Sequence, residues 1–323
     1  VLRRCGQRDV VHRLMHTAQG TSKTQHAPLG FSFSAAGLLF PYHFGVADAL
    51  IKANYIVRGT PMSGSSAGAL TACATTLTFH GLKFDDLLDA VTSAYGVLRT
   101  QDTGPGCLGR MLRRKCETYM SEDAVDHIND WAGGIRIGYT SLLPFPRSAV
   151  VDRFRSQSDL LEALGASSHI PYIVSPAPFS TFRGVPAVDG VLSRAPTFGC
   201  VQTTAATTVC ISPFGATKVF GRQLRMKALL HMTGLTRAKS PEEHKHPRKK
   251  REFVLPTGFC QTVISPELTP SEFHVKALAR WVMKPNPDPA FPRLLFEAGQ
   301  RDAMEWVRQR RAAELLEASP TLT

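Results

Sequence analysis

At residues 64–68 the chain reads Gly64-Ser65-Ser66-Ala67-Gly68, and this pentapeptide decides how the surrounding sequence is interpreted. Its pattern is G-x-S-x-G, in which the two glycines permit a turn so sharp that the central serine hydroxyl stands exposed. Ser66 occupies the central position of the motif, so its neighbour Ser65 is not the candidate nucleophile. The pattern alone is a weak signal, because a loop rich in serine and glycine can match it by chance. A functional interpretation therefore requires a strand before the pentapeptide and a helix after it.

Both flanks have the required character. Upstream, Tyr55-Ile56-Val57 and then Met62 suit a short buried strand. Downstream, residues 67–74 are mostly small and suit a helix that packs closely against a sheet. A serine at such a junction lies at a helix N-terminus, where free N–H groups and the helix dipole stabilise negative charge. We therefore expect Ser66 to be a nucleophile, with the N–H of Ala67 pointing toward an oxyanion that forms beside it.

A serine hydroxyl is a poor nucleophile near neutral pH, so it needs a partner that takes its proton. The acid best placed after the serine is Asp189, where the apolar run Val185-Pro186-Ala187-Val188 ends in Asp189-Gly190. This pattern indicates a strand that stops at a tight turn, and on its own it would be an ordinary Asp-Gly turn. A downstream histidine such as His231 or His274 would complete a conventional Ser-Asp-His esterase, which remains the enzymatic alternative.

A third segment near the N-terminus belongs with these two. Residues 31–34, Phe-Ser-Phe-Ser, alternate apolar and polar side chains as a half-buried strand does. Residues 35–40, Ala-Ala-Gly-Leu-Leu-Phe, follow, and residues 42–53 have the character of a helix. Small residues between a strand and a helix present backbone N–H groups to an anion, as an oxyanion hole requires.

In order and spacing, the three segments resemble the patatin-like phospholipase domain, and within that family the adipose triglyceride lipase branch. The family pattern has a glycine-rich oxyanion loop, then G-x-S-x-G, then Asp-Gly, which fall here at 35–40, 64–68 and Asp189-Gly190. The resemblance covers roughly residues 29–310 and includes further segments at 42–47, 166–171, 211–215 and 285–308. Several motifs in one order are far more specific than any single motif.

The resemblance implies a three-layer α/β/α sandwich around a mainly parallel sheet. It also implies a lipid acyl hydrolase that cleaves carboxylic ester bonds of phospholipids or triacylglycerol, with no cofactor and no metal. By position, Ser66 is the nucleophile and Asp189 the base of a catalytic dyad that uses no histidine. An aspartate base works best in a poorly solvated site, where burial raises its proton affinity. The remaining site residues are the oxyanion donors Ala36, Gly37, Leu38 and Ala67 and the motif glycines Gly64, Gly68 and Gly190.

One departure from the family pattern concerns the oxyanion loop. The related lipases carry G-x-G-x-x-G, whereas this chain has Ala35, Gly37 and Phe40 at those three places. A position that needs a positive φ would penalise alanine, and phenylalanine more. A lipid-binding or scaffolding protein with impaired catalysis is therefore an alternative to the enzyme. Acyl transfer is another, because the family includes acyltransferases.

Composition sets the outer limits. With 323 residues, 43% of them hydrophobic, the chain can bury a substantial core. The sequence has no run of about 18 apolar residues, so we expect peripheral membrane contact and no spanning helix. The seven cysteines include no C-x-x-C pair, which favours an intracellular protein, cytoplasmic and peripheral on a membrane or lipid droplet. Residues 1–28 are basic and resemble a transit segment, which makes an organelle the alternative. Residues 29–310 form the expected hydrolase domain, and 311–323 a C-terminal tail.

Of the net charge of +12, +8 lies in residues 222–251, which include a basic insertion at about residues 236–252. Near anionic headgroups each cation contributes about 1 kcal/mol of binding. We therefore expect a lipid substrate at a membrane or droplet surface and no nucleic acid, although charge alone is equally compatible with a solvated loop or a nuclear-import signal. The cations proposed to contact anionic lipid are Lys245, Arg248, Lys249, Lys250 and Arg251.

Overall fold

A computed structural model describes residues 29–100, 106–194, 197–214, 259–270, 273 and 278–318. Several features singled out from the sequence lie outside these residues. They are the basic N-terminal segment at 1–28, the insertion at 236–252 with its five cations, and the two candidate histidines His231 and His274.

The described residues form one eight-stranded sheet with helices around it. The strands are β1 (Leu29–Phe33), β2 (Met62–Ser65), β3 (Ile135–Ser141), β4 (Arg147–Val151), β5 (Ser180–Phe182), β6 (Val185–Asp189), β7 (Thr207–Ile211) and β8 (Phe259–Ile264). The helices are α1 (Pro41–Lys52), α2 (Ala67–Thr78), α3 (Phe84–Thr100), α4 (Cys107–Tyr119), α5 (Glu122–Asn129), α6 (Gln157–Ser167) and α7 (Phe291–Ala318), with short 3-10 turns at Gly37–Leu39 and Ala279–Trp281.

The centre of the sheet is parallel, and one side of it is antiparallel. β1 pairs in parallel with β2 and β7, β2 with β3, and β7 with β8. β3 pairs antiparallel with both β4 and β6, and β5 with β6. The central strands are buried on both faces, which explains why β1 and β2 contain apolar and small residues without charge. The predicted mixed α/β class with a mainly parallel central sheet is therefore confirmed.

The strand before the pentapeptide lies later than the sequence suggests. Tyr55–Val57 was the expected strand, but the N–H groups of Tyr55 and Ile56 both donate to the carbonyl of Leu50 at the end of α1. Those residues therefore turn the chain out of the helix, and the strand is β2 at Met62–Ser65. Residues 158–164 have the pattern of a helix capped by Ser158, but α6 starts two residues earlier than this pattern indicates. Its N-cap is Ser156, whose side chain accepts from the N–H of Asp159, and Ser158 lies inside the helix.

Helix α7 closes the domain by packing along α1. The two helices approach so closely that a Cβ on Gly45 would lie 1.8 Å from the Phe296 carbonyl oxygen, and one on Gly299 would lie 2.1 Å from that of Tyr42. Beside this crossing the buried Tyr42 hydroxyl donates to Asp302 Oδ2 at 2.8 Å. The helix ends at Ala318, as the amphipathic pattern of residues 288–318 indicates.

Two further observations concern the cysteines and the helices. Cys210 on β7 is disulfide-bonded, whereas Cys73, Cys107, Cys116 and Cys200 are free thiols, and the cysteine spacing gave no sign of the bond. Among the described residues, no helix combines the length and the hydrophobicity that crossing a bilayer requires.

Candidate active site

The pentapeptide forms the sharp strand-to-helix turn that its glycines predict. Ser66 joins β2 to α2 with φ 57° and ψ −131°, a strained conformation for a residue with a side chain. A Cβ on Gly64 would lie 2.3 Å from the backbone of Gly68, and one on Gly68 would lie 2.1 Å from the Phe33 carbonyl oxygen. Both glycines are therefore required by close backbone approach. The second approach sets the nucleophile turn directly against the end of β1, where the oxyanion loop begins.

The register of the sheet brings Ser66 and Asp189 together. On β3, Tyr139 pairs with both Ala149 of β4 and Asp189 of β6, so β4 and β6 lie on opposite sides of that strand. β4 also lies opposite β2, because Ile137 pairs with both. β6 therefore occupies the same side of β3 as β2 and runs toward it. β2 ends opposite Gly138 and β6 ends opposite the next residue, so the carboxyl ends of the two strands meet head to head.

Ser167, the last residue of α6, holds this junction together. Its hydroxyl accepts from the N–H of Ser66 at 2.7 Å and donates to the Gly138 carbonyl at 2.6 Å. Its own carbonyl accepts from the N–H of Gly190 at 3.3 Å. One buried residue thus bonds to the nucleophile turn, to β3 beside the two catalytic candidates, and to the turn after Asp189.

The environment of Asp189 suits a base. The side chain is buried, with 1% of its surface exposed, and burial raises its pKa from 3.8 to about 6. Two smaller effects oppose this rise in pKa, a hydrogen bond from the N–H of Val191 to Oδ1 at 2.9 Å and the nearby hydroxyl of Ser66. Oδ2 has no hydrogen-bond partner of ordinary geometry among the described residues. The carboxylate therefore keeps one oxygen available to take a proton from the adjacent serine.

The oxyanion loop keeps a glycine at the position that needs one. Gly37 has φ +54°, and a Cβ there would lie 2.2 Å from the Val282 carbonyl oxygen. Phe40 has φ −63° and ψ −17°, and Ala35 is not among the residues with positive φ. The expected strain at Ala35 and Phe40 is therefore absent, because ordinary L-residues fit the conformations found at both positions.

The four proposed oxyanion donors are not equivalent. The N–H of Leu38 donates to the Val282 carbonyl at 2.7 Å, so in this conformation it fixes the loop and is not a free donor. The N–H groups of Ala36, Gly37 and Ala67 have no partner among the described residues. Three of the four predicted groups are therefore available to an anion that forms near Ser66.

An apolar cavity lies behind the oxyanion loop. It has a volume of about 110 Å³, and its walls come from the loop, from the first turn of α2 and from helices α3 and α4. The Tyr95 hydroxyl on α3 donates to the carbonyl of Leu38 and ties this wall to the loop. Its lining residues include Leu38 and Phe40 of the loop segment, Leu70 of α2 and Tyr95 of α3.

Residues 31–199 match the family model described as "Patatin-like phospholipase". The chain belongs to the patatin-like phospholipase family. This confirms the family that the motif order and spacing predicted. The matched region contains the oxyanion loop, the pentapeptide and Asp189 of this patatin-like protein.

The relatives of this patatin-like protein carry several names. Human "Omega-hydroxyceramide transacylase" is 28% identical over 169 residues, which are 50% of this chain and 30% of that protein. Human "1-acylglycerol-3-phosphate O-acyltransferase PNPLA3" is 31% identical over 189 residues, 57% of this chain and 37% of that protein. Rat "Patatin-like phospholipase domain-containing protein 2" is 30% identical over 177 residues, 50% and 34% respectively. The matched part therefore spans about a third of each relative. Among solved structures, VipD from Legionella pneumophila aligns with a TM-score of 0.44 and 11% identity, covering 88% of this chain and 67% of that one.

Histidines of the patatin-like domain were candidates for a third catalytic residue. Of the four described, His43 is fully buried, and burial lowers its pKa to about 3. The ring of His169 contacts the carbonyl oxygen of Ala177 at 3.1 Å. The N–H of Asp189 donates to the main-chain carbonyl of His169 at 2.9 Å, but no histidine side chain in the described ranges forms a hydrogen bond with the side chain of Ser66 or Asp189. His231 and His274 lie outside those ranges.

Sequence reasoning missed the residues that position the site. Ser167 lies in the segment at 166–171 that carried part of the family resemblance, but nothing in its local pattern gave it a role. Val282 accepts a hydrogen bond from the N–H of Leu38, and Tyr95 donates one to its carbonyl. Both residues are far from Leu38 in the chain and belong to no motif.

Proposed function

We propose that this protein is a lipid acyl hydrolase that cleaves carboxylic esters through a Ser66–Asp189 dyad and an acyl-enzyme. The observation that carries the proposal is the head-to-head meeting of β2 and β6, which sets a buried carboxylate beside a serine in a strained turn. Membership of the family supports a lipid-modifying enzyme. The dyad and the substrate class are our inference from the geometry.

The chemistry follows from the groups in place. Asp189 takes the proton of Ser66 as Oγ bonds to the ester carbonyl carbon, and the free N–H groups of Ala36, Gly37 and Ala67 stabilise the oxyanion. The carbon–oxygen bond to the alcohol then breaks, and the proton held by Asp189 leaves with that alcohol. In the second half, Asp189 takes a proton from water, hydroxide attacks the acyl-enzyme, and the fatty acid leaves as Ser66 recovers its proton.

The electrostatics support aspartate in the role that histidine usually has. A carboxylate with a pKa near 4 is a weak base, whereas burial raises the pKa of Asp189 to about 6, close to that of an imidazole. Oδ2 is the oxygen without a partner, and it can therefore accept the proton without losing an existing hydrogen bond.

The apolar cavity behind the oxyanion loop supports an acyl chain as part of the substrate. Its wall includes Leu38 of the loop and Leu70, whose N–H bonds to the carbonyl of Ser66 one turn away. The cavity is small compared with the 300–1,000 Å³ usual for ligand pockets. We propose that it receives the first part of the chain.

Acyl transfer is the second candidate, and the names of two relatives favour it, a transacylase and an O-acyltransferase. Both reactions pass through the same acyl-enzyme and differ in whether water or an alcohol accepts the acyl group. We further propose that the protein works at a membrane or lipid-droplet surface inside the cell, because long-chain esters are almost absent from water.

The first experiment combines active-site labelling with turnover. Wild type, Ser66→Ala and Asp189→Asn are treated with a fluorophosphonate and assayed on phospholipid and triacylglycerol emulsions, with and without a lysophospholipid acceptor. We expect label and turnover in wild type alone, and the acceptor arm separates transfer from hydrolysis. Equal turnover in the three proteins would exclude the dyad. Absence of label in folded wild type would instead favour the lipid-binding alternative.

A further inference from the structure

An exposed apolar loop joins β3 to β4. Residues 142–146 read Leu-Leu-Pro-Phe-Pro, and we call them the β3–β4 loop. Phe145 is 76% exposed and Leu143 is 56% exposed, unusual values for large apolar side chains. Hydrogen bonds hold the base of the loop, from the N–H of Leu142 to the Pro186 carbonyl at 2.9 Å and from the Ser141 hydroxyl to the Leu143 carbonyl at 3.2 Å.

The loop lies at the same end of the sheet as the catalytic candidates. Ser66 and Asp189 meet at the level of Gly138 and Tyr139 on β3, and the strand then continues to Ser141. Leu143 therefore follows the catalytic level by four residues, or about 13 Å at the rise of an extended strand. Phe179, which is 43% exposed, precedes β5 and belongs to the neighbouring part of this edge, because β5 pairs with β6.

The charge around the loop suits a lipid surface. Residues 141–151 contain no acidic residue, and the exposed Arg147 follows the loop directly. An anionic or zwitterionic headgroup layer would therefore contact one cation of this segment and no carboxylate. A protein interface, by contrast, needs about 20–30 residues on each side, far more than a single loop supplies.

We propose that the β3–β4 loop docks this protein on a lipid surface, with Leu143 and Phe145 inserted at the boundary between headgroups and acyl chains. The inference rests on the proposed lipid acyl hydrolase function and names the residues that bring that site to its substrate. Partial burial of a few apolar side chains gives the reversible binding that an interfacial enzyme requires. Arg147 then lies at the level of the headgroups.

The test measures binding and catalysis separately. The variants are Leu143→Ser/Phe145→Ser and, as a matched control, Leu316→Ser, which changes a side chain that is 77% exposed on α7. Binding is measured by flotation with vesicles of phosphatidylcholine alone and with phosphatidylserine added. Turnover is measured on a water-soluble short-chain ester and on emulsified long-chain ester.

We expect the double variant to lose about a hundredfold in vesicle binding on both compositions, because each of the two apolar side chains contributes about a factor of ten when it leaves water. Its turnover on the emulsion should fall similarly, while turnover on the soluble ester stays at the wild-type level. The control should match wild type throughout. Unchanged flotation of the double variant, or wild type that does not float at all, would overturn the docking inference. Flotation needs no catalysis, so its result is distinct from failure of the hydrolase proposal, in which no ester is cleaved.

Discussion

The stability of Asp189→Asn relative to wild type should increase as the pH rises. Burial raises the pKa of this carboxyl from 3.8 to about 6, so between these values the folded state holds a proton that the unfolded state releases. The stability of wild type therefore falls as the pH rises through that window. Two pH units at about 1.4 kcal/mol each give a cost of about 3 kcal/mol above pH 6. Asparagine has no proton to lose and avoids this cost.

Asp189→Asn also changes the free energy of unfolding by an amount that does not depend on pH. Asparagine can keep the bond from the N–H of Val191 through its Oδ1, while its NH₂ group takes the place of Oδ2, which has no partner of ordinary geometry in the described structure. A buried amide without a partner costs about 1–3 kcal/mol at every pH. The informative quantity is therefore the change with pH of the difference in unfolding free energy between variant and wild type.

Urea unfolding at several values from pH 4 to pH 8 measures that difference. We expect it to rise in favour of Asp189→Asn by about 3 kcal/mol, mostly between pH 4 and 6. Asp152→Asn, at an exposed carboxyl, is the matched control for losing a negative charge on a basic protein. A difference that stays flat with pH, or moves in the opposite direction, would refute the raised pKa and with it the argument for Asp189 as base.

Three further predictions concern turnover. Activity on a soluble ester should rise tenfold per pH unit below about pH 6 and level off above it, since Asp189 must be ionised to take a proton; a pH profile without this limb would contradict that role. Ser167→Ala should lower kcat with little change in KM, and it should reduce stability by about 1–3 kcal/mol because two buried hydrogen bonds are lost. The control is Ser168→Ala, at a hydroxyl without a described partner, which should change kcat little. In the oxyanion loop, Phe40→Gly should not raise kcat, and a higher kcat in this variant would show that the family glycine is needed there. Gly37→Ala should abolish fluorophosphonate labelling, because the Cβ of the alanine would collide with the Val282 carbonyl.

The order of motifs along the sequence predicted the fold class and the two catalytic candidates, because each motif marks the end of a strand. The prediction of the strand before the pentapeptide was wrong. The apolar Tyr55–Val57 run has the local pattern of a strand, but the N–H groups of Tyr55 and Ile56 donate to the carbonyl of Leu50 near the end of α1. The meeting of Ser66 and Asp189 could not be derived from local pattern. It depends on the pairing of β6 with β3, two segments far apart in the chain, on the side of β3 that β4 does not occupy. Backbone dihedrals in the oxyanion loop are likewise set by tertiary contacts such as that with Val282.

The loss of family glycines and the proposed use of an aspartate base have a common explanation in backbone geometry. Glycine is required where φ is positive or where another backbone lies within contact distance. Both conditions hold at Gly37, whereas Phe40 has a φ of −63°, which any L-residue adopts. The aspartate depends on backbone geometry in the same way, because the head-to-head strands bury it and leave Oδ2 beside the serine. The imidazole of histidine has a pKa near neutrality without any help from its surroundings, whereas an aspartate acquires a pKa useful for a base only from its surroundings. A substitution that admits water to the junction, at Ser167 for example, should therefore lower the pKa of Asp189 and weaken the base even where the distance between the two catalytic side chains is preserved.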